Sequence, residues 1–175
     1  MKPRIAIAAL TLGFALLAGR TIASEPDDVD VRANMVEGVN PAALAIWDVG
    51  NSATDENGGL DPAQMDAAAW AKVAEAAQSL GTYAHRLAAA KIIRASGPDL
   101  VDGKVPEGVA SREQIQAMID ANPGGFRAAA ASMEQQAKAL AAAATERNLE
   151  QTGELISTFD QACQGCHENY WYPKQ

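Results

Sequence analysis

The sequence predicts an all-α fold, an antiparallel four-helix bundle. Three observations carry this. Alanine, the best helix former, dominates the composition, and aromatic residues make up only 5%. No stretch shows the valine–isoleucine alternation that marks a strand. Four long segments repeat apolar residues at steps of three and four, which puts those residues on one helix face.

The first residues stand outside that pattern. Lys2 and Arg4 precede a nearly unbroken apolar run from Ile5 to Ala18, and Thr21-Ile22-Ala23 offers small residues for cleavage. Charge, apolar run and small residues, in that order, mark a secretory signal peptide. The run is shorter than the about 20 residues a membrane span needs. Residues 1–23 are therefore expected to be a cleaved signal peptide and residues 24–175 the bundle domain. The expected location is the periplasm, with no membrane attachment after cleavage. Cleavage removes Lys2, Arg4 and Arg20 but no acid, so the formal charge moves from −8 to −11. So acidic a domain lacks the basic patch that nucleic acid rewards, which excludes nucleic acid as a partner.

The first helical segment is expected from about Val29 to Val49, with Val31, Met35, Val39, Ala42 and Ile46 on its apolar face. Pro41 interrupts it and predicts a kink, or a restart with Asn40 as N-cap. Residues 51–60 are polar and glycine-bearing and read as a loop. Asp61-Pro62 is expected to open the second helix, since Asp caps well and Pro suits the first helical position. Its face is Met65, Ala69, Val73, Ala76, Leu80, Tyr83 and Leu87, and it is expected to reach about Arg94, before Ser96-Gly97-Pro98.

Residues 96–110 form the longest connection. Ser111-Arg112-Glu113-Gln114 then caps a short helix through Asp120. Asn122-Pro123-Gly124-Gly125 is a break. The third long helix follows with Phe126, Ala130, Met133, Ala137, Leu140 and Ala144, a four–three alternation suited to shallow packing in a bundle. Asn148 marks the next turn. The fourth helix lines up Leu155, Ile156, Phe159, Cys163, Cys166, His167 and Tyr170.

Cys163 and Cys166 are the only cysteines, and His167 follows directly. On a helix, residues three and four apart project to one side. Cys-x-x-Cys-His is the attachment motif for haem c. Each thiol adds to one porphyrin vinyl group to give a thioether, and the histidine reaches the iron from the proximal side. The spacing suits a rigid plate with vinyls and iron at fixed separations. One covalently bound haem c is thus the expected cofactor. Three other uses were weighed against it. A disulfide would have to close a very short loop on a helix. A redox dithiol wants a strand before it and a helix N-terminus to lower the thiol pKa. Zinc wants about four ligands, and the only other histidine is His85.

A bundle with Cys163-Gln164-Gly165-Cys166-His167 near the end of its last helix resembles cytochrome c′ and its low-spin relatives. Residues 35–51, "MVEGVNPAALAIWDVGN", resemble an exported subgroup with a Pro and a Trp in the first helix. The resemblance implies that the first helix covers the distal side of the haem. In cytochrome c′ an apolar residue sits there, and the five-coordinate iron binds NO or CO. In the low-spin relatives an early methionine ligates the iron, and this chain has Met35 at that place. A thioether ligand raises the potential of a His-ligated haem and suits electron transfer. The other use of Met35 is core packing, as for Met65, Met118 and Met133. His85 is the alternative sixth ligand, but it lies mid-helix beside Arg86 and reads as a surface or core residue. The resemblance also implies homodimers through the first two helices.

The chain departs from the family after His167. Cytochromes c′ place a basic residue there, whereas Glu168, Asn169, Tyr170, Trp171 and Tyr172 follow here. The aromatics are expected to cover the haem edge or close the bundle. Trp47 and Trp70 are expected in the core or between helices, with Trp47 about 18 Å along the helix from Met35. Gly58-Gly59 and Gly124-Gly125 lack a phosphate-loop context, and no serine-centred elbow is present, so no enzymatic activity is expected. The expected function is one-electron transfer through a His167/Met35 haem, with an unidentified redox partner protein. The alternatives are a five-coordinate haem binding NO or CO, and a haem-bearing structural or sensory subunit.

Overall fold

The computed structural model describes residues 27–97 and 107–172; the signal peptide expected over residues 1–23 lies outside them. In chain order the elements are β1 (Asp28–Asp30), α1 (Val31–Asn34), a π turn (Met35–Val39), α2 (Asn40–Ala53), α3 (Ala67–Ala89), β2 (Ile92–Arg94), α4 (Arg112–Ala121), α5 (Pro123–Thr145) and α6 (Leu149–Tyr170). The architecture is an all-α helical bundle. α1, the π turn and α2 join into one rod, which stands beside α3, α5 and α6, while the short α4 packs near one end.

Four boundaries differ from the sequence-based expectation, each for a physical reason. The first rod is not restarted at Asn40. Asn40 has helical backbone angles and donates its N–H to the Met35 carbonyl, five residues back. This wide turn lies just before Pro41, whose ring in a regular helix presses on the carbonyl four residues back. The rod therefore winds on to Ala53.

The second helix opens at Ala67, not at Pro62. Asp61 Oδ1 accepts the Ala63 N–H in a local turn (2.9 Å), and Asp66 is the N-cap, accepting the Ala69 N–H (2.8 Å). Met65 is buried from that turn rather than from the helix face. At its other end the helix stops at Ala89, because Ile92–Arg94 leaves to pair in parallel with Asp28–Asp30. The alternation rule foresaw neither the isolated antiparallel bridge between Thr54 and Leu60 nor this two-stranded ladder. Three residues are too few to show a period, and the partner lies some sixty residues away.

The sequence marks Ser111 as a cap, but Asn122 only as part of a break and Asn148 only as a turn. Ser111 and Gln114 form a capping box at α4. The Asn122-Pro123 break opens α5 directly, with Asn122 Oδ1 accepting the Gly125 N–H at 3.0 Å. Arg147 turns the chain with a φ of 55°, and Asn148 caps α6.

The apolar interior falls into two clusters. The larger holds Ile46, Val73, Leu80, Leu140 and Phe159. The smaller, near the ladder and α4, holds Val29, Leu87, Ile93, Ile119, Phe126 and Tyr170. Met35 packs against both.

Candidate functional site

The last turn of α6 is pinned from several sides, which fixes the cysteine motif one to two turns upstream. The His167 carbonyl accepts the N–H groups of Trp171 (2.8 Å) and Tyr172 (2.9 Å), and the Trp171 carbonyl accepts the Ala110 N–H (2.9 Å). Tyr170 is buried. Its hydroxyl donates to the Asn122 carbonyl (3.2 Å), and its ring meets Phe126 edge-on at 5.1 Å. The motif thus sits on a rigid helix rather than on a loop, as a precise site requires.

Cys163 and Cys166 are free and half-buried. Cys163 packs against the larger cluster and Cys166 against the smaller. Burial, then the nearby Asp160 and Cys166, push the Cys163 thiol up to about 11. Burial also raises Cys166. Both are therefore neutral thiols at pH 7. This is the reverse of the lowering that a redox dithiol uses, and it counts against that alternative. Burial lowers the His167 pKa, which keeps the imidazole neutral and a nitrogen lone pair available to a metal. Trp171 and Tyr172 flank the ring at centroid distances of 5.9 and 6.3 Å.

Beside the motif opens a cavity of about 190 Å³. α6 lines it with Cys163, Cys166 and His167, the first rod with Met35, Val39, Asn40, Ala43, Leu44 and Trp47, and α5 with Met133. Met35, Cys163, Cys166 and His167, predicted as site residues from sequence, all line this one space. His85 does not. Its Nδ1 lies 3.0 Å from Glu134 Oε2, in a groove between α3 and α5.

Of the six lining residues that the sequence did not assign to the site, Trp47 and Leu44 are the most informative. Trp47 was expected in the core or between helices; it packs on Phe159 at 5.9 Å and also lines the cavity. Leu44 is 63% exposed at the cavity edge, and Val36, one residue beyond Met35, is 53% exposed. Large apolar side chains left open to water next to a cavity are a signal that something apolar covers them. From sequence alone Leu44 was one more helical leucine.

The donor set fits a haem. Two thiols three residues apart and an adjacent imidazole stand on one helix, a thioether stands on the other wall, and the lining between them is apolar except for Asn40. A bare metal ion is less well served. Among the described residues, no three His, Cys, Asp or Glu side chains gather as a metal cluster, so the zinc alternative has no ligand set there. Among the same residues no helix is long and apolar enough to cross a membrane. The side next to His167 is polar but not basic: Asn169 Nδ2 donates to the Gly165 carbonyl at 2.7 Å, and Gln164 bonds Glu168 at 2.7 Å.

A family model described as Cytochrome C' matches residues 70–171, which is more than half of the chain and includes the cysteine motif. No curated protein and no solved structure matches the chain.

Proposed function

The chain belongs to the cytochrome C' family, and on that premise we propose that it is a periplasmic one-electron carrier with a single haem c ligated by His167 and Met35. Family membership brings a haem-binding, electron-carrying role in general terms. Members act as electron carriers or gas sensors and not as catalysts, and the chain is not an enzyme. The finer statement is ours. Cys163 and Cys166 would hold the haem as thioethers, within the four-rod layout of the bundle. The bound group supplies an iron centre that gains and loses one electron.

The observation that carries this reading is the shared cavity. His167 and Met35 come from different elements and line the same space. The protein's own contribution is then clear in physical terms. The neutral His167 presents a lone pair, and its carbonyl is fixed by two N–H groups from the chain end. Met35 offers a soft sulfur, which favours the reduced iron and raises the potential. Val39 and Trp47 would give the group an apolar neighbourhood of lower dielectric on the side of Met35. A homodimer and a separate redox partner protein complete the proposal. Sedimentation of the mature protein tests the first: a monomer mass across concentrations contradicts it.

Replacing Met35 by Ala tests the ligand assignment. The expected outcome is loss of the far-red absorption band of thioether-ligated ferric haem, and a new response to CO. An unchanged spectrum contradicts Met35 as ligand. A parent protein that already binds CO or NO supports the five-coordinate, gas-binding alternative.

A further inference from the structure

Met35 and Trp47 are twelve residues apart, and both line the cavity. In a straight α-helix this is not expected. At about 100° per residue, twelve residues leave two side chains about 120° apart. The π turn resolves the difference. Its hydrogen bond spans five residues instead of four, from the Asn40 N–H to the Met35 carbonyl, and so takes up one extra residue. With that residue absorbed, the two side chains fall within about 20° of each other. The π turn therefore turns Met35 into the cavity.

Such turns are rare and need support from outside the helix. Here the support comes from α3. Gly38, inside the turn, is buried against the ring of Tyr83. A methyl group on Gly38 would lie 2.1 Å from Tyr83 Cγ and 2.2 Å from both Cδ atoms, so the ring meets the glycine face-on. The Arg86 guanidinium lies over the same ring, 5.2 Å from its centroid. One turn before Gly38, the buried Asn34 donates from Nδ2 to the Tyr83 carbonyl at 3.0 Å. Its Oδ1 is buried with no hydrogen-bond partner among the described residues. A half-satisfied buried amide is destabilising, and it persists where the bond it does make holds something in place.

We propose that Gly38, Tyr83 and Asn34 form a lock that holds the π turn and so aims Met35 at the sixth position of the haem iron. Gly38 and Tyr83 are positioning residues that act through Met35. The inference rests on the assignment of Met35 as a ligand, and the experiment separates the two. The mature, haem-loaded full chain is prepared as the parent and as Met35→Ala, Gly38→Ala, Tyr83→Ala and Gly38→Ala/Tyr83→Ala. Helicity, the ferric spectrum and the CO association rate are read for each.

The lock predicts that Gly38→Ala loses the thioether band although Met35 is present. It also predicts that Gly38→Ala gains the CO response that the parent lacks, as Met35→Ala does. Tyr83→Ala shows an intermediate, mixed-spin spectrum. The double variant resembles Tyr83→Ala, since removing the ring makes room for the added methyl. That recovery is a signature that a merely structural role for Gly38 does not give. If Gly38→Ala does not mature, Tyr83→Ala and the double variant carry the test, and a parent-like spectrum in both overturns the lock. A helical Gly38→Ala with the parent spectrum overturns it too. If Met35→Ala itself leaves the spectrum unchanged, the ligand assignment is wrong and the lock falls with it. If Met35→Ala changes the spectrum while the other variants do not, the lock alone is wrong.

Discussion

Between α3 and α5 the facing side chains are small and the helices lie close; between the first rod and α6 the side chains are large and a cavity stands open. In the close pair, Ala77, Ala84, Ala137 and Ala144 are almost wholly buried, and the Cβ position of Gly81 lies 3.6 Å from the Ala137 Cβ. Small residues let backbones approach, and the longer Val73, Leu80 and Leu140 fill the remaining space at interior density. In the open pair, Met35, Trp47, Cys163, Cys166 and His167 are only partly buried, and Leu44 is exposed. The same helix-forming composition thus builds two different things. One pair of helices is finished by its own side chains. The other is finished by the group that the cysteines are placed to hold.

The largest expected effect falls on the open pair. Replacing both Cys163 and Cys166 by Ala abolishes covalent haem, read as a complete loss of haem stain on a denaturing gel. The bundle's helices stay, because α3 and α5 do not depend on the motif. If helicity collapses in that variant, the closed pair does not hold the fold by itself and the contrast fails.

Next in size is a core deletion in the closed pair. Leu80 has no exposed surface, and Leu80→Ala costs about 2–5 kcal/mol in urea unfolding, with the haem spectrum unchanged. Leu44→Ala, on the open side, changes the stability of the haem-free chain by no more than about 0.5 kcal/mol. Equal losses for the two variants contradict the division.

A smaller effect concerns the start of the first rod, which carries Met35. Burial works to raise the pKa of Asp30, but hydrogen bonds from the Ser96 side chain and from the N–H groups of Ala33, Ser96 and Arg32 outweigh it and hold it below its usual 3.8. The group is therefore worth most when ionised. Its stabilisation is complete above the ordinary carboxylate value and is lost as pH falls through the lower folded-state value. Asp30→Ala removes an N-cap, at about 0.5–2 kcal/mol near neutral pH. The difference between parent and variant shrinks in acid. A gap that widens as pH falls contradicts the assignment.

The smallest effect is at Thr152, fully buried at the start of α6 with its Oγ1 lacking a hydrogen-bond partner among the described residues. Thr152→Val keeps the shape and removes the unsatisfied hydroxyl, so it is expected to stabilise by about 1 kcal/mol in urea unfolding. A loss of more than that amount means that the hydroxyl has a partner.

The sequence made the closed pair easier to read than the open one. The four–three alternation of Phe126, Ala130, Met133, Ala137, Leu140 and Ala144 shows a helix face, and all six side chains are at most 5% exposed. The cap at Ser111 followed from residue type alone, while Asn122 and Asn148, read as a break and a turn, prove to be the N-caps of the helices that follow. At Asp61 and Asp66 residue type was not enough. Asp61 caps only a local turn, and the helix is capped by Asp66, which the sequence reading did not single out. Cys163, Cys166 and His167 stood out by their chemistry and spacing. Trp47 did not, because its place on the cavity depends on the π turn, and a five-residue hydrogen-bond step has no pattern of its own in the sequence. Pro41 gave notice that something irregular happens there, but not that the rod winds through it.

The most direct test of the central claim is the visible spectrum of the mature protein, oxidised and reduced, with and without CO. The account predicts a low-spin haem c with the weak far-red band of methionine ligation in the oxidised form and no response to CO. A high-spin spectrum that shifts when CO is added contradicts Met35 as ligand and electron transfer through a His167/Met35 haem.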